Sequence, residues 1–274
     1  TNLVHFLPDV NPYIRPNGMS IEEWCDAKVE DLRLMIEQIG AEKIGAFIAE
    51  PILSSGGVIV PAEGYQKRTW EICRENDILY ISDEVVTGFG RLGHWFASEE
   101  VFGIIPDMIT CAKGLTSGYL PLGACIISDR ILEIASQGEE PSAFTNGYTY
   151  SAHPVSCAAA LKNIEIFENE RILENVRNVS PHFQERLQDL MKYNIVGDAR
   201  GMGLLGCIEC KAEDLEAERS LGSKIDQACE ELGLLVRPLI NMAVFSPPLI
   251  ITLKQIDEMF DILEAAIIKV EGEL

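Results

Sequence analysis

Basic residues are scarce in this 274-residue chain: 22 Lys+Arg stand against 43 Asp+Glu, a formal net charge of −21. A nucleic-acid groove takes its affinity from Lys and Arg that neutralise phosphates, and docking on an anionic membrane face needs the same residues. Neither partner fits this charge balance. No stretch holds the ~20 apolar residues of a membrane span. The opening, Thr1-Asn2-Leu3-Val4-His5, lacks the basic and apolar regions of a secretory signal, and it does not begin with Met. There is no internal repeat and no low-complexity linker. There is also no GxGxxG after a strand and no GxxxxGK[ST], which disfavours a nucleotide-binding protein. The one CxxC spacing, Cys207-Ile208-Glu209-Cys210, has no second Cys/His pair to complete a metal site. It lies in a run that reads as a strand, where residues three apart face opposite ways. No metal is expected.

Hydrophobic residues make up 47% of the chain and charged ones 24%, the balance of a globular protein with a sizeable core. The eight cysteines are Cys25, Cys73, Cys111, Cys125, Cys157, Cys207, Cys210 and Cys229. Most sit in apolar runs, as small hydrophobes do, so a reducing compartment, the cytoplasm, is expected.

Proline and glycine mark 8–19 as an irregular loop. Ser20 with Glu23 forms a capping box, and a helix to about residue 39 follows, with Leu32, Met35 and Ile36 on one face. Apolar runs at 44–49, 78–82, 108–111 and 123–127 predict strands, with an amphipathic helix at 64–76. The runs lack polar alternation, which predicts a sheet buried on both faces. From about residue 154 the pattern changes. Helices are predicted over 155–169 and 172–193, short strands over 203–209, 234–238 and 243–246, and a last helix from 253 to about 270. Thr252 caps that last helix, and Ile256, Met259, Phe260 and Leu263 form its core face. Residues 1–153 are expected to be part of a large domain, and 154–274 a connecting helix with a C-terminal α+β domain.

Ligands of parallel sheets bind at the carboxyl ends of the strands. Three predicted ends carry an ionisable residue: Glu50, Asp83 and Lys113. A lone Asp there commonly caps a turn, and a lone Lys is commonly solvated. Lys113, however, lies in an uncharged segment between two apolar strands. Desolvation there is expected to lower its pKa and make it an amine nucleophile. An amine and a carboxylate on neighbouring strand ends suit pyridoxal phosphate (PLP). The amine forms a Schiff base, and the carboxylate keeps the pyridine nitrogen protonated.

Four segments carry a more specific signal: Ile48-Ala-Glu-Pro-Ile52, Ser82-Asp-Glu-Val-Val-Thr-Gly-Phe-Gly-Arg91, Pro106-Asp-Met-Ile-Thr-Cys-Ala-Lys-Gly-Leu115 and Gly147-Tyr-Thr-Tyr-Ser-Ala-His-Pro154. In order and spacing they resemble the class III PLP-dependent aminotransferases. The likeness continues through Arg237-Pro238 and 246–252. It implies fold type I, an α/β fold with a mostly parallel sheet, helices on both faces and a C-terminal α+β domain.

By this resemblance Lys113 is the Schiff-base lysine and proton shuttle. Asp83 is the partner of the pyridine nitrogen, and Val85 packs on one ring face. Thr149 reaches across a homodimer interface to the other subunit's phosphate. Glu50 lies near the cofactor and pairs with a substrate-site arginine. Arg237 binds the carboxylate of an amino or keto acid, as a planar guanidinium can do bidentately. Each has a plainer reading: core valine, turn threonine, strand-end acid, solvated arginine. Arg91 matches the motif without an assigned role, and His153 is expected to order its loop.

The implied reaction moves an amino group from a small amine or omega-amino acid to a keto acid such as pyruvate. The alternatives are a PLP-dependent decarboxylase or aminomutase, or a non-catalytic fragment with a vestigial site. Members of the family also carry an N-terminal part with a Gly-Ser-x-Ala-type phosphate grip, a ring-stacking aromatic and early strands. None of these is found here, so the chain is expected to be the C-terminal portion of a longer enzyme.

Overall fold

Ser20 begins the first helix as its capping box predicts. In the computed structural model, which describes residues 3–137 and 146–273, Ser20 Oγ accepts from Glu23 N at 3.1 Å and Ser20 N donates to Glu23 Oε2 at 2.7 Å. Of the opening five residues, Thr1 and Asn2 lie outside the described ones. Helix α1 (Ile21–Ile39) buries Trp24, Cys25, Val29, Leu32 and Ile36, with Met35 half-buried beside them, and ends at Gly40.

Contacts divide the chain into two units. The first is Thr1–Pro51, Pro61–Phe89 and His94–Glu170, and the second is Ile52–Val60, Gly90–Gly93 and Arg171–Leu274. The division expected at 153/154 therefore differs from the contact grouping. The helix at 154–169 belongs with the first unit, and two short segments, 52–60 and 90–93, belong with the second.

The first unit continues with β1 (Ala46–Ala49), α2 (Tyr65–Glu75), β2 (Leu79–Asp83), α3 (Ala97–Glu100), β3 (Met108–Cys111), β4 (Ala124–Ile127), α4 (Asp129–Ala135) and α5 (Pro154–Asn169). The sheet order is β1-β2-β3-β4. β1, β2 and β3 run parallel, with Ala49 beside Ser82 and Asp83 beside Thr110. β4 returns antiparallel, with Cys111 beside Ala124. Helix α2 packs on β2 and on α1.

Burial differs from expectation on the two edge strands. Ile48 of β1 is 60% exposed, and β4 is exposed along its length. An edge strand has a neighbour on one side only, so the described residues shield it less than they shield β2. The buried face of helix α5 is largely polar or small. The helix buries Ser156, Ala160, Asn163 and Phe167, while Ala158, Leu161 and Ile166 are exposed. Apolar residues lie almost all round this helix, so their spacing could not select the buried face.

The second unit contains α6 (Ile172–Asp189), β5 (Val196–Met202), β6 (Leu205–Cys210), α7 (Leu215–Glu231), β7 (Arg237–Leu239), β8 (Met242–Phe245) and α8 (Leu253–Glu271). Its sheet order is β5-β6-β8-β7, antiparallel throughout. Phe183 of α6 and Phe260 of α8 meet edge to face at 5.2 Å in its core, with Ile208, Leu221, Ile225 and Leu263 fully buried around them. Strand β5 and helix α7 have no counterpart in the sequence prediction. β5 carries Gly197, Asp198, Arg200 and Gly201, poor strand formers. Helix α7 is interrupted by Gly222, where a Cβ would come within 2.5 Å of Ile240 O and 2.6 Å of Met242 O. The glycine that weakens the helical signal is what lets α7 approach β8.

All eight cysteines are free thiols. Cys207 and Cys210 are buried in β6, and burial pushes each thiol up to about 12. Among the described residues, no helix is long and apolar enough to cross a membrane.

Candidate active site

The carboxyl ends of β1, β2 and β3 bring Glu50, Asp83 and Lys113 to one edge of the first unit's sheet. Glu50 directly follows β1 and is half-buried. The backbone there is pinned by buried Gln66 of α2, whose Nε2 donates to Glu50 O at 3.1 Å and Pro51 O at 3.0 Å. Tyr80 holds the same amide from the other side, donating to Gln66 Oε1 at 2.6 Å.

Asp83 ends β2 half-buried, with Oδ1 accepting from Val85 N at 3.1 Å. This Asx-type turn fixes the carboxylate and the half-buried Val85 together. Glu84, which the sequence reading did not single out, ties the turn down. Its N donates to Thr110 O at 2.9 Å and continues the β2–β3 ladder by one bond. Its fully buried carboxylate accepts from Ala97 N at 2.7 Å, Ser98 N at 2.8 Å and Thr87 Oγ1 at 3.0 Å, and from Ser98 Oγ. A buried carboxylate needs such donors. The available signal was a second acid directly after the strand-end acid.

Lys113 stands two residues beyond β3 and opens a short 3-10 turn, Lys113–Leu115, at φ +36. Its side chain is exposed, so the expected desolvation is not seen. The apolar neighbours that suggested it belong to strands, whereas Lys113 itself lies past the strand end. The turn is gripped on two sides. A Cβ at Gly114 would come within 2.7 Å of Phe89 Cβ and 3.3 Å of Phe89 O. On the other side, Asn163 of α5 donates from Nδ2 to Gly114 O at 2.9 Å and Leu115 O at 3.1 Å, and accepts at Oδ1 from Ser117 Oγ at 2.8 Å.

Thr149 lies in an exposed turn where Tyr148 N donates to Ser151 Oγ at 2.9 Å. His153 sits at the N-cap of α5, with its ring 6.1 Å from that of Tyr150.

In the second unit, Arg237 opens β7, exposed, and lines a cleft of about 450 Å³ with Ser246, Pro247, Gln255, Glu258 and Met259. Arg91, unassigned from sequence, has a structural place in this unit. Its Nη1 donates to Pro247 O at 2.6 Å and Leu204 O at 3.0 Å. Burial lowers its guanidinium pKa to about 10, which leaves it charged at neutral pH. Arg91 thereby fixes a segment of the cleft wall that Arg237 shares.

The donor set at the strand ends suits PLP. A carboxylate ends β2, and a primary amine stands just past the end of the adjacent parallel strand β3. In register with Asp83, Thr110 Oγ1 is buried without a hydrogen-bond partner among the described residues. Also among the described residues, no group of three or more His, Cys, Asp or Glu side chains could hold a metal ion.

A mostly parallel sheet with these residues at its carboxyl edge, followed by an antiparallel α+β unit, is the architecture of a fold type I PLP-dependent transferase. The aminotransferase class-III family model matches residues 2–267, and the chain belongs to that family. The putrescine–pyruvate aminotransferase of Pseudomonas aeruginosa is 42% identical over 255 residues, covering 90% of this chain and 55% of that protein. A chloroplastic gamma-aminobutyrate transaminase of Solanum lycopersicum is 40% identical, covering 88% of this chain and 48% of that one. Among solved structures, the omega-transferase of Vibrio fluvialis JS17 superposes with a TM-score of 0.90 at 38% identity, over 98% of this chain and 66% of that one. An (S)-enantioselective omega-transaminase of Thermomicrobium roseum gives 0.89 at 37%, over 96% and 60%. The chain spans about half the length of the curated relatives it matches.

Proposed function

We propose that the protein containing this chain is a PLP-dependent class III transaminase. It moves an amino group from a small amine or omega-amino acid to a keto acid, pyruvate above all. The observation that carries the reading is the pair Lys113 and Asp83 at the carboxyl ends of adjacent parallel strands. The family match and the pyruvate-linked relative support it. When bound, PLP supplies a protonated, electron-withdrawing ring that stabilises negative charge at the substrate carbon.

Lys113 Nζ would hold the cofactor, and as a free amine it would carry the proton to and from the substrate carbon. An exposed lysine on a rigid turn has the reach for both tasks. Asp83, oriented by Val85 N, keeps the proton on the pyridine nitrogen. Val85 would pack against one face of the ring. The outward-facing turn of Thr149 suits a hydroxyl that serves the phosphate bound by a second subunit, so the working enzyme is a homodimer or higher homo-oligomer.

Arg237 takes the substrate carboxylate as a bidentate guanidinium. Glu50 stands near the cofactor and balances an arginine when no carboxylate is bound. The cofactor half lies within 1–153 and the carboxylate-binding arginine within 154–274. Coverage of only half of each relative is consistent with a further segment that would complete the phosphate grip. The cysteines, mostly core residues, suit the reducing cytoplasm.

Incubation with an amine donor and pyruvate tests the reading. Alanine forms without carbon dioxide, and Lys113→Ala lowers the rate by at least about 10²–10⁴-fold, the worth of a positioned proton carrier. The same variant loses the absorbance of lysine-linked cofactor. Carbon dioxide release without alanine identifies a decarboxylase instead, and an unchanged Lys113→Ala removes the catalytic reading altogether.

A further inference from the structure

We propose that Asn163 is a positioning residue for Lys113. Its carboxamide, reaching from α5, sets the backbone of the lysine turn and so the direction from which Nζ approaches the cofactor. The inference rests on the functional reading above.

Asn163 is only 8% exposed and sits on the buried side of α5. Burying an amide is costly unless its donors and acceptor are engaged. Here all its bonds go to one short loop: Gly114 O, Leu115 O and Ser117 Oγ. Two of the residues in that loop, Lys113 at φ +36 and Ser117 at φ +50, hold left-handed backbone that non-glycine residues rarely adopt. Such a conformation persists only where its surroundings impose it. Phe89 supplies a wall on one side of the turn through its contact with Gly114. Asn163 supplies the pull on the other, by bonding the two carbonyls that follow Lys113. Without those bonds the Leu115 carbonyl loses its partner, and the Gly114 carbonyl keeps only backbone N–H groups of its own turn, that of Ser117 at 3.3 Å among them. The turn can then relax toward right-handed backbone, which swings the Cα–Cβ bond of Lys113. No other described side chain donates to those two carbonyls.

The full-length, cofactor-loaded enzyme provides the test, with Asn163→Ala, the isosteric Asn163→Asp, and Ser117→Ala, which removes one bond from the loop side. Three quantities are read: borohydride trapping of cofactor on Lys113 by peptide mass, the pH midpoint of the lysine-linked cofactor absorbance, and kcat against KM. A misplaced reacting group costs up to about 10²-fold. Asn163→Ala is therefore expected to lower kcat by roughly 10- to 100-fold, to shift the absorbance midpoint and to slow trapping, with KM for the amine little changed. Asn163→Asp recovers in part as pH falls, because a protonated acid can donate one of the two lost bonds, whereas Asn163→Ala does not. Ser117→Ala shifts the same readouts the same way by less.

Variants that alter only thermal stability, leaving midpoint, trapping and kcat at wild-type values, overturn the clamp. If the Asn163 variants fail to fold, an unshifted Ser117→Ala overturns it equally. Failure of the wild type to trap cofactor on Lys113 is a different result: it sinks the functional reading, and the clamp falls with it.

Discussion

Adding one methyl group at Gly114 tests how tightly the lysine turn is built. That methyl would stand 2.7 Å from Phe89 Cβ, against side-chain carbon and backbone rather than a flexible chain end. Overpacking of this kind costs about 1–3 kcal/mol. Gly114→Ala should therefore lower the denaturation midpoint and reduce activity, measured side by side by urea titration and alanine formation. Gly45→Ala, where a Cβ meets nothing within 4 Å and φ is not positive, controls for the substitution without the clash. At this scale, the strand-end positions of Asp83 and Lys113 were legible because strand ends show in the hydrophobic pattern. Glu84 and Asn163 were not legible. A buried polar residue has no periodic signature, and its partners come from remote segments: Ala97 and Ser98 for the first, 114–117 for the second. The exposure of Lys113 was misread because neighbours in sequence stood in for neighbours in space.

Helix termini were the most readable elements. The capping box at Ser20 and the N-cap at Thr252 both form, the latter completed as a box by Gln255, since each needs only residues three apart. Strand β5 and helix α7 were hidden by glycine and charge, and the buried face of α5 by apolar residues on every side. The clasp between α6 and α8 was hidden for a different reason: it joins residues some seventy positions apart. Asp257 Oδ1 meets His182 Nε2 at 2.7 Å and accepts from Arg186 Nη1 at 2.7 Å, and Arg186 Nη2 reaches Asp261 at 2.7 Å. The His182 hydrogen bond, then that of Arg186, holds the Asp257 carboxyl below its ordinary value of 3.8. A depressed carboxyl pKa stabilises the fold at any pH above the unfolded value and ceases to do so as pH falls through the folded one. Asp257→Asn should thus lower the urea midpoint of the second unit at neutral pH. Below pH 3.8 its difference from wild type should shrink, and a constant difference across both conditions refutes the assignment.

For the whole molecule, the charge balance remains the most direct guide to behaviour in solution. With acid residues outnumbering basic ones nearly two to one, the chain has a pI near 4.5. Net charge keeps proteins apart, and near neutrality they associate. Turbidity against pH should peak close to 4.5 and clear on either side. A peak at neutral pH instead would mean that exposed apolar residues such as Ile48 and Leu161 dominate association. The fold class was legible because helix and strand periods alternate over the first half of the chain and change after about residue 154. The contributions of 52–60 and 90–93 to the second unit were not, since nothing local marks a segment that crosses from one body to another.

The antiparallel return of β4 onto β3 has a consequence for how such an enzyme can diversify. β1 to β2 and β2 to β3 are parallel crossovers, whose length can change without moving either strand. The arch over 112–123 is different: Cys111 and Ala124 are paired neighbours at its two feet. An inserted or deleted residue there must be absorbed inside the arch that carries the lysine. Length variation is therefore easier in the crossovers than in the arch over 112–123, where a change must keep Cys111 and Ala124 paired.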